Sequence, residues 1–118
     1  MGNSVVGVER RVKKRIEDSF KAFMSKHFSR GPGLVKVYAI ENCITIYCKN
    51  ILTPLEKKLF IEDKEGELLI KSFREKLILN NEVEFLNMVN DSIDTTISSY
   101  YIDFNIKDDS LACVFILN

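Results

Sequence analysis

The chain has 118 residues, of which 46% are hydrophobic and 29% are charged, and its formal net charge at pH 7 is zero. This composition excludes a wholly disordered chain, and the length suits a single domain (residues 1–118) that buries a core without disulfides or metals. No apolar run approaches the ~18 residues that span a bilayer, and the N-terminus lacks the order of a signal peptide, so we expect a cytoplasmic protein.

The charge is unevenly distributed along the chain. Residues 1–36 hold nine Lys or Arg against three Asp or Glu, a net charge of +6, and the remainder therefore carries −6. Such a division favours docking to acidic partners, lipid head groups or nucleic acid, or attraction between opposite ends of two copies.

The first element is a long amphipathic helix. Apolar residues recur at spacings of three and four between Val5 and His27, which predicts a helix over residues 4–28 with Ser4 as a candidate cap. Five basic residues lie mainly outside this apolar stripe: Arg10, Arg11, Lys13, Lys14 and Arg15. They form either a solvated basic face or a binding face. No aromatic residue lies among them, which weakens a model of single-stranded nucleic acid stacking on the helix.

A turn and a β-hairpin follow. The stretch Ser29–Leu34 contains two glycines, which admit positive φ, and a proline, which forbids further helical hydrogen bonding. The runs Leu34–Ile40 and Cys43–Cys48 are rich in β-branched and aromatic residues and are separated by Glu41-Asn42. This pattern predicts two antiparallel strands joined by a tight turn.

The next stretch, Thr53-Pro54-Leu55-Glu56, predicts the start of a short helix over 54–62. The Thr53 hydroxyl can accept a hydrogen bond from an exposed amide of the first turn, and Pro54 suits the first helical position. Glu56, three residues after Thr53, completes a capping box worth ~1 kcal/mol. We therefore interpret Thr53 and Glu56 as structural residues in the first instance.

A longer helix is predicted from about Glu65 to Leu79. Leu69, Phe73 and Leu77 space out one apolar face. Arg74 lies off that stripe, either solvated or in an ion pair.

The continuation of this helix is ambiguous. Asn81-x-x-Glu84 imitates a second capping box, which favours a break at Asn80-Asn81. The apolar spacing through Phe85 and Ile93 is equally compatible with one continuous helix. The sequence therefore allows either two helices separated at Asn80-Asn81 or one continuous helix.

The C-terminal segment is predicted to form a second β-hairpin. Tyr100, Ile102, Phe104 and Ile106 alternate with polar neighbours, the period of a strand with one buried face. After a turn at residues 108–110, the run 111–117 is apolar on both faces, as in a central strand or one covered by a partner. The sequence thus predicts an α+β fold: a long N-terminal helix, two hairpins in one four-stranded antiparallel sheet, and two or three helices inserted between them.

Cysteine and histidine usage gives no sign of metal or redox chemistry. The three cysteines, Cys43, Cys48 and Cys113, have no C-x-x-C spacing and lie in apolar runs, so we expect small buried side chains in a reducing compartment. His27 has no ligand partner nearby in sequence. No phosphate loop, nucleophile elbow or acid-base pair is present at diagnostic spacing, so we expect neither a cofactor nor catalysis.

The order of elements and motifs resembles a family of small bacterial proteins, the MpsC family, named for a component of a Na+-translocating membrane-potential-generating system. The matching residues are Arg30-Gly31-Pro32, Leu52-Thr53-Pro54-Leu55-Glu56-Lys57-Lys58-Leu59, Arg74, Asp103 and Phe115-Ile116-Leu117. The resemblance covers nearly the whole chain. It departs from the family pattern before the third strand, where Thr95-Thr96 stands in place of a Thr-Gly turn.

The resemblance implies a non-catalytic accessory protein of a membrane system for cation or inorganic-carbon uptake, with a membrane-protein complex as its partner. It carries candidate binding roles onto five positions: Arg30, Thr53, Glu56, Arg74 and Asp103. For each of these positions a role in the fold is the alternative.

Three functional hypotheses follow. The first is an interaction module, most simply a homodimer, motivated by the apolar final strand and the opposed charges. The second is a nucleic-acid-binding regulator that uses the basic first helix, although the neutral chain has no recognised helix-turn-helix, KH or RRM motif. The third is a small-molecule sensor or enzyme in which Glu56, Arg74 and Asp103 converge. Catalysis ranks last among these.

Overall fold

The computed structural model describes residues 10–118. The described elements are α1 (Arg10–Phe28), β1 (Leu34–Ile40), β2 (Cys43–Lys49), α2 (Pro54–Glu62), α3 (Gly66–Asn80), α4 (Glu82–Asn90), β3 (Ile97–Asn105) and β4 (Ser110–Leu117). The predicted first helix is confirmed from Arg10 to Phe28. The proposed Ser4 cap lies outside the described residues.

The four strands form one antiparallel sheet in the order β1-β2-β4-β3, which confirms the predicted α+β fold. The chain crosses from β2 to β3 through the three helices, and β4 then inserts between them. On β4, Phe115 lies opposite Ile44 on one side and Tyr100 on the other. Strand β4 is thus central in the sheet with one face buried, whereas on the other face Ala112 is exposed and Val114 and Ile116 are half-buried.

The core lies between one face of the sheet and helices α1 and α4. The apolar stripe of α1 is buried as predicted, with Ile16, Phe20 and Met24 fully enclosed. Phe85 of α4 packs at ring-centroid distances of 5.7 Å from Phe23 and 5.5 Å from Phe115, so a cluster of aromatic rings joins both helices to the sheet.

The turns differ from the prediction in where they place positive φ. Ser29, at φ 61°, leaves α1 through the left-handed region, whereas no described glycine has positive φ. Glu41, in the tight turn between β1 and β2, has φ 51°. Asn50 and Asp109 adopt the same region, which Asn and Asp tolerate better than most residues because their short side chains bond locally.

The buried face of α3 is also not the predicted one. Leu69 and Phe73 are 50% and 56% exposed, while Gly66, Ile70, Arg74 and Ile78 face inward. The i, i+4 spacing of Leu69 and Phe73 correctly indicates one face of a helix, but these two side chains point away from the core, and only Leu77 of the predicted stripe is half-buried and packs against it. The expectation of a solvated Arg74 is wrong, and the ion-pair alternative is confirmed.

Of the two alternatives that the sequence left open, the structure has the break, since α3 ends at Asn80 and α4 begins at Glu82, but no capping box causes it. Asn81 makes no side-chain cap for α4, and its Nδ2 donates instead to the Leu77 carbonyl at 2.9 Å. Glu84 does not close a capping box, because it pairs with α1.

Two of the three free cysteines are buried as expected. Burial raises the pKa of Cys48 to about 12 and the pKa of Cys113 well above its ordinary value, so both thiols are protonated and inert at neutral pH. Cys43 is half-buried. Among the helices of residues 10–118, none combines the length and the hydropathy needed to cross a bilayer.

Candidate functional site

The site built by the motif begins at the start of α2. Thr53 is extended at φ −75° and ψ 160°, which stops the helix on its N-terminal side. Its Oγ1 accepts a hydrogen bond from the Glu56 amide at 3.1 Å, and Glu56 Oε1 accepts one from the Thr53 amide at 2.8 Å. The predicted capping box is therefore present in both directions.

The same Glu56 carboxylate binds Arg74, whose side chain is 0% exposed. Arg74 donates from Nε to Oε2 at 2.8 Å and from Nη2 to Oε1 at 2.6 Å, a two-point contact between α3 and α2. Nη2 also donates to the Ile51 carbonyl at 2.9 Å, and the guanidinium carbon lies 4.3 Å from the centre of the Phe28 ring. One arginine thus joins α1, α2, α3 and the β2–α2 loop.

The pKa of Glu56 reflects both its burial and its pairing with Arg74. Burial alone would raise the pKa of Glu56, but hydrogen bonds from Arg74 and Thr53 and the charge of Arg74 hold it below its ordinary value of 4.5. Glu56 is therefore a carboxylate at neutral pH. Arg74 Nη1 is buried without a hydrogen-bond partner among the described residues, so the pair is not fully satisfied.

Asp109 fixes the β2–α2 loop, although the sequence pattern predicts only a turn at this residue. Its Oδ1 accepts from the amides of Ile51 and Leu52, each at 2.8 Å, and its carbonyl accepts from the Asn50 amide at 2.9 Å. The β3–β4 turn thereby fixes the loop that leads into the capping box. The sequence gives little indication of this contact, because Asp108-Asp109 is typical of an ordinary turn.

Gly66 sets how closely α2 and α3 approach each other. A Cβ at this position would clash with the carbonyl oxygen of Leu59 and lie 2.9 Å from its carbonyl carbon. Because these are backbone atoms of α2, the helices could not keep their spacing around a larger residue.

The five predicted binding residues do not form one site. Thr53, Glu56 and Arg74 are brought together, but no hydrogen bond or ion pair within residues 10–118 links them to Arg30 or Asp103. The Asp103 side chain is 76% exposed and pairs with Lys71 at 3.0 Å. Arg30 is half-buried, and its Nε has no hydrogen-bond partner among the described residues.

The basic face of α1 borders a shallow groove of about 360 Å³ beside β1. Its lining includes Arg10, Lys13, Lys36 and Tyr38, so the sheet contributes both a further cation and the aromatic residue that the helix lacked. Lys14 is partly neutralised, because it pairs with Asp18 at 3.1 Å and with Glu17 at 3.4 Å. Arg11 and Arg15 are exposed on the same helix.

A second charged cluster ties α1 to α4 and was not predicted. His27 Nε2 lies 3.0 Å from Glu84 Oε1, and Lys26 Nζ donates to Glu84 Oε2 at 3.2 Å. Burial alone would raise the pKa of Glu84, but its hydrogen bonds from His27 and Lys26 outweigh this and lower it. Glu84 and Lys26 border an open groove of about 890 Å³. Within residues 10–118, no group of three or more His, Cys, Asp or Glu is placed to hold a metal ion.

One protein-family model matches this chain. A family model described as Na+-translocating membrane potential-generating system (MpsC) matches residues 9–118. Searches of curated proteins and of solved structures found no match. The matched range contains every motif residue discussed above, including Thr53, Glu56 and Arg74.

Proposed function

We propose, because the chain belongs to the MpsC family, that it is a non-catalytic accessory protein that docks, as an oligomer, on a membrane system moving cations or inorganic carbon. The family description names a Na+-translocating membrane potential-generating system. In this proposal the chain is peripheral to the membrane and is held there by a membrane-protein partner.

The observation that carries this proposal is the internal pairing of Glu56 with Arg74. Both carboxylate oxygens are occupied by Arg74 and Thr53, and the guanidinium is enclosed by Phe28 and Ile51. A charged pair already committed to hydrogen bonds inside the protein is poorly placed to bind or transform a substrate. The motif polar groups therefore support a scaffold, and recognition falls to the outer surfaces.

The basic face of α1 is the surface proposed for the membrane partner. Arg10, Lys13 and Lys36 lie together along the groove beside β1, with the half-exposed Tyr38 ring at its edge. A cluster of cations attracts an acidic segment over a distance of about 10 Å at 0.1 M salt. An acidic loop of a membrane protein has the chemistry that this groove would bind.

The experiment is recovery of partners from native membranes. A tagged chain is captured from mildly solubilised membranes of its own cell, and the recovered proteins are quantified by mass spectrometry. Subunits of a cation-translocating membrane complex should be enriched by the wild type and lost with Arg10→Glu/Lys13→Glu. The matched control is Lys107→Glu, an exposed lysine in the turn between β3 and β4, which should retain them. No enrichment of any membrane protein over an untagged strain would contradict the proposal.

Nucleic-acid binding is the second candidate, favoured by the presence of Tyr38 next to these cations. Aromatic rings beside basic side chains are the usual platform for single-stranded nucleic acid. Binding of a labelled oligonucleotide at low salt should then weaken steeply as salt rises, because phosphate contacts release counterions. Absence of binding at low salt would remove this candidate.

A further inference from the structure

The surface with the greatest excess of apolar side chains is the helical hairpin formed by α2 and α3. Twelve large hydrophobic residues are exposed among the described residues, and seven of them lie on this hairpin: Leu55, Leu59, Ile61, Leu68, Leu69, Phe73 and Leu79. Their exposed fractions run from 37% to 80%. A concentration of this kind marks an interaction surface more often than a scatter of single residues does.

Helix α2 buries little of its apolar surface within the chain, where only Phe60 packs against the core. None of its nine residues is fully buried, and its packing within the chain is mainly against α3. A helix of this length is marginal in water, since most helical stability in proteins comes from a packed apolar face. The capping box and the Glu56–Arg74 pair hold α2 in place, yet its own leucines remain open to solvent.

Helical geometry places four of these residues on one side of the hairpin. Leu55 and Leu59 are one turn apart on α2, as Leu69 and Phe73 are on α3. The inward residues of α3, Ile70, Arg74 and Ile78, lie on another side of the helix. With about 100° between successive residues and the helices running antiparallel, the four side chains project outward together, away from the core.

The charges around this surface are arranged for self-association. At the tip of the hairpin, Lys64 stands among four acidic residues: Glu62, Asp63, Glu65 and Glu67. The rest of the hairpin carries the exposed lysines Lys57, Lys58 and Lys76 against a half-buried Glu75. Two of these lysines also make long, exposed ion pairs within the chain: Lys58 lies 4.0 Å from Glu62, and Lys57 lies 3.9 Å from Asp109. In a two-fold, antiparallel arrangement the acidic tip of one copy lies against the lysines of the other, and the contact is repeated by symmetry.

The area available is consistent with a dimer. Burial of a large aliphatic or aromatic side chain corresponds to roughly 60 to 120 Å² of apolar surface, so the exposed parts of the seven side chains offer on the order of 250 to 500 Å². A standard interface buries about 800 Å² per partner, of which roughly 65% is apolar in homodimers. All seven side chains of the hairpin together therefore supply about the required apolar area, and Leu55, Leu59, Leu69 and Phe73 contribute about half of it.

We propose that the outward face of the α2–α3 hairpin, centred on Leu55, Leu59, Leu69 and Phe73, binds the same face of a second copy in an antiparallel four-helix arrangement. This inference rests on the oligomeric part of the proposed function and names its surface. It differs from the expectation that the apolar final strand mediates association, because β4 is central in the sheet and neither of its edges is free to pair with another copy. It leaves the basic groove at α1 available for the membrane partner.

The first test is the molar mass of the full chain in solution by light scattering and sedimentation equilibrium. The wild type should have twice the 13.6 kDa chain mass. Phe73→Glu, with helix content checked by circular dichroism, should raise the dimer dissociation constant by about 100-fold or more. Ile40→Glu is the matched control: it introduces the same charge at an exposed apolar residue of the sheet and should leave the dimer intact.

The second test addresses the antiparallel geometry through charge exchange. A tip-reversed chain (Glu65→Lys/Glu67→Lys) and a base-reversed chain (Lys58→Glu/Lys76→Glu) should each dimerise at least about tenfold more weakly than the wild type at low salt. Mixed together, they should form a heterodimer at near wild-type affinity, because opposite charges meet again at both ends. Failure of the mixture to recover would overturn the antiparallel arrangement.

Three outcomes would overturn this inference, and the first of them would leave the proposed function standing. A wild-type chain that stays monomeric at all concentrations, yet still captures its membrane complex, would overturn the interface and leave the docking function standing. A dimer that Ile40→Glu breaks and Phe73→Glu does not would overturn the assignment to the hairpin. If Phe73→Glu changed only binding to lipid vesicles, the surface would be a membrane contact, which would also overturn the proposal.

Discussion

Arg74 and Glu56 form a two-point ion pair inside the protein, with N–O distances of 2.8 and 2.6 Å, although the two residues lie on different helices. Glu56 is at the same time the third residue of the capping box of α2. A single carboxylate therefore sets where α2 begins and how α2 is oriented on α3. This dual use explains why Thr-Pro-x-Glu and a distant arginine belong to one structural unit.

The first prediction concerns this pair. Glu56→Gln keeps a side chain that can close the capping box but leaves the charge of Arg74 buried without a counter-ion. Breaking a buried pair from one side costs about 3 kcal/mol or more, so the free energy of unfolding in urea should fall by that amount. Glu62→Gln removes an exposed carboxylate from the same helix and should cost less than about 0.5 kcal/mol. Equal losses in the two variants would show that the pair contributes little.

The second prediction is the pH dependence of the same interaction. The pKa of Glu56 is lower in the folded protein than its ordinary value of 4.5, so its contribution is complete above about that pH. The contribution is lost as the pH falls through the lower, folded value, because the carboxylate then takes up a proton. The difference in unfolding free energy between the wild type and Glu56→Gln should therefore shrink as the pH is lowered from 5 to values below 4.5. A constant difference across this range would contradict the account.

The third prediction concerns the contact between α2 and α3 at Gly66. Alanine usually stabilises a helix relative to glycine by up to ~1 kcal/mol. Gly66→Ala should instead lower the melting temperature, because the new methyl group meets the backbone of Leu59. Gly31→Ala is the matched control: its Cβ would meet chiefly the Ser25 hydroxyl, at 2.8 Å, and that side chain can rotate away. A stabilised Gly66→Ala protein would refute the close approach.

The fourth prediction tests the anchor at Asp109. Asp109→Ala removes the acceptor of two buried amides and places a less suitable residue at φ 53°, so it should cost about 2 to 3 kcal/mol in urea unfolding. Asp109→Asn retains an acceptor oxygen and tolerates the left-handed region, and it should recover at least half of this loss. Similar losses for both variants would indicate that the carboxylate charge matters more than the hydrogen bonds.

The sequence predicted the scaffold well, because its signals are local. Period-2 alternation in β3, the Glu41-Asn42 turn and the Thr53 capping box each depend on residues close in sequence, and all three are confirmed. The central position of β4 is one of the two alternatives that its apolar sequence allowed.

The sequence could not predict the contacts that depend on tertiary packing. Leu69 and Phe73 define an apolar stripe on α3, but periodicity does not say whether a stripe faces the core of its own chain or another surface. The pairing of Arg74 with Glu56 and that of His27 with Glu84 join residues 18 and 57 positions apart. No local pattern marks such partners, so Arg74 could not be recognised as a core residue.

The central claim is that Glu56 and Arg74 build the scaffold and take no part in binding. The double variant Glu56→Gln/Arg74→Met keeps a capping side chain and replaces the buried charge pair by neutral groups, so it should fold and be more stable than Glu56→Gln alone. The most direct measurement is its capture of membrane partners from native membranes, beside the wild type. We expect the folded double variant to recover the same complex in similar amount. A folded double variant that recovers none would contradict the account and assign binding to the pair itself.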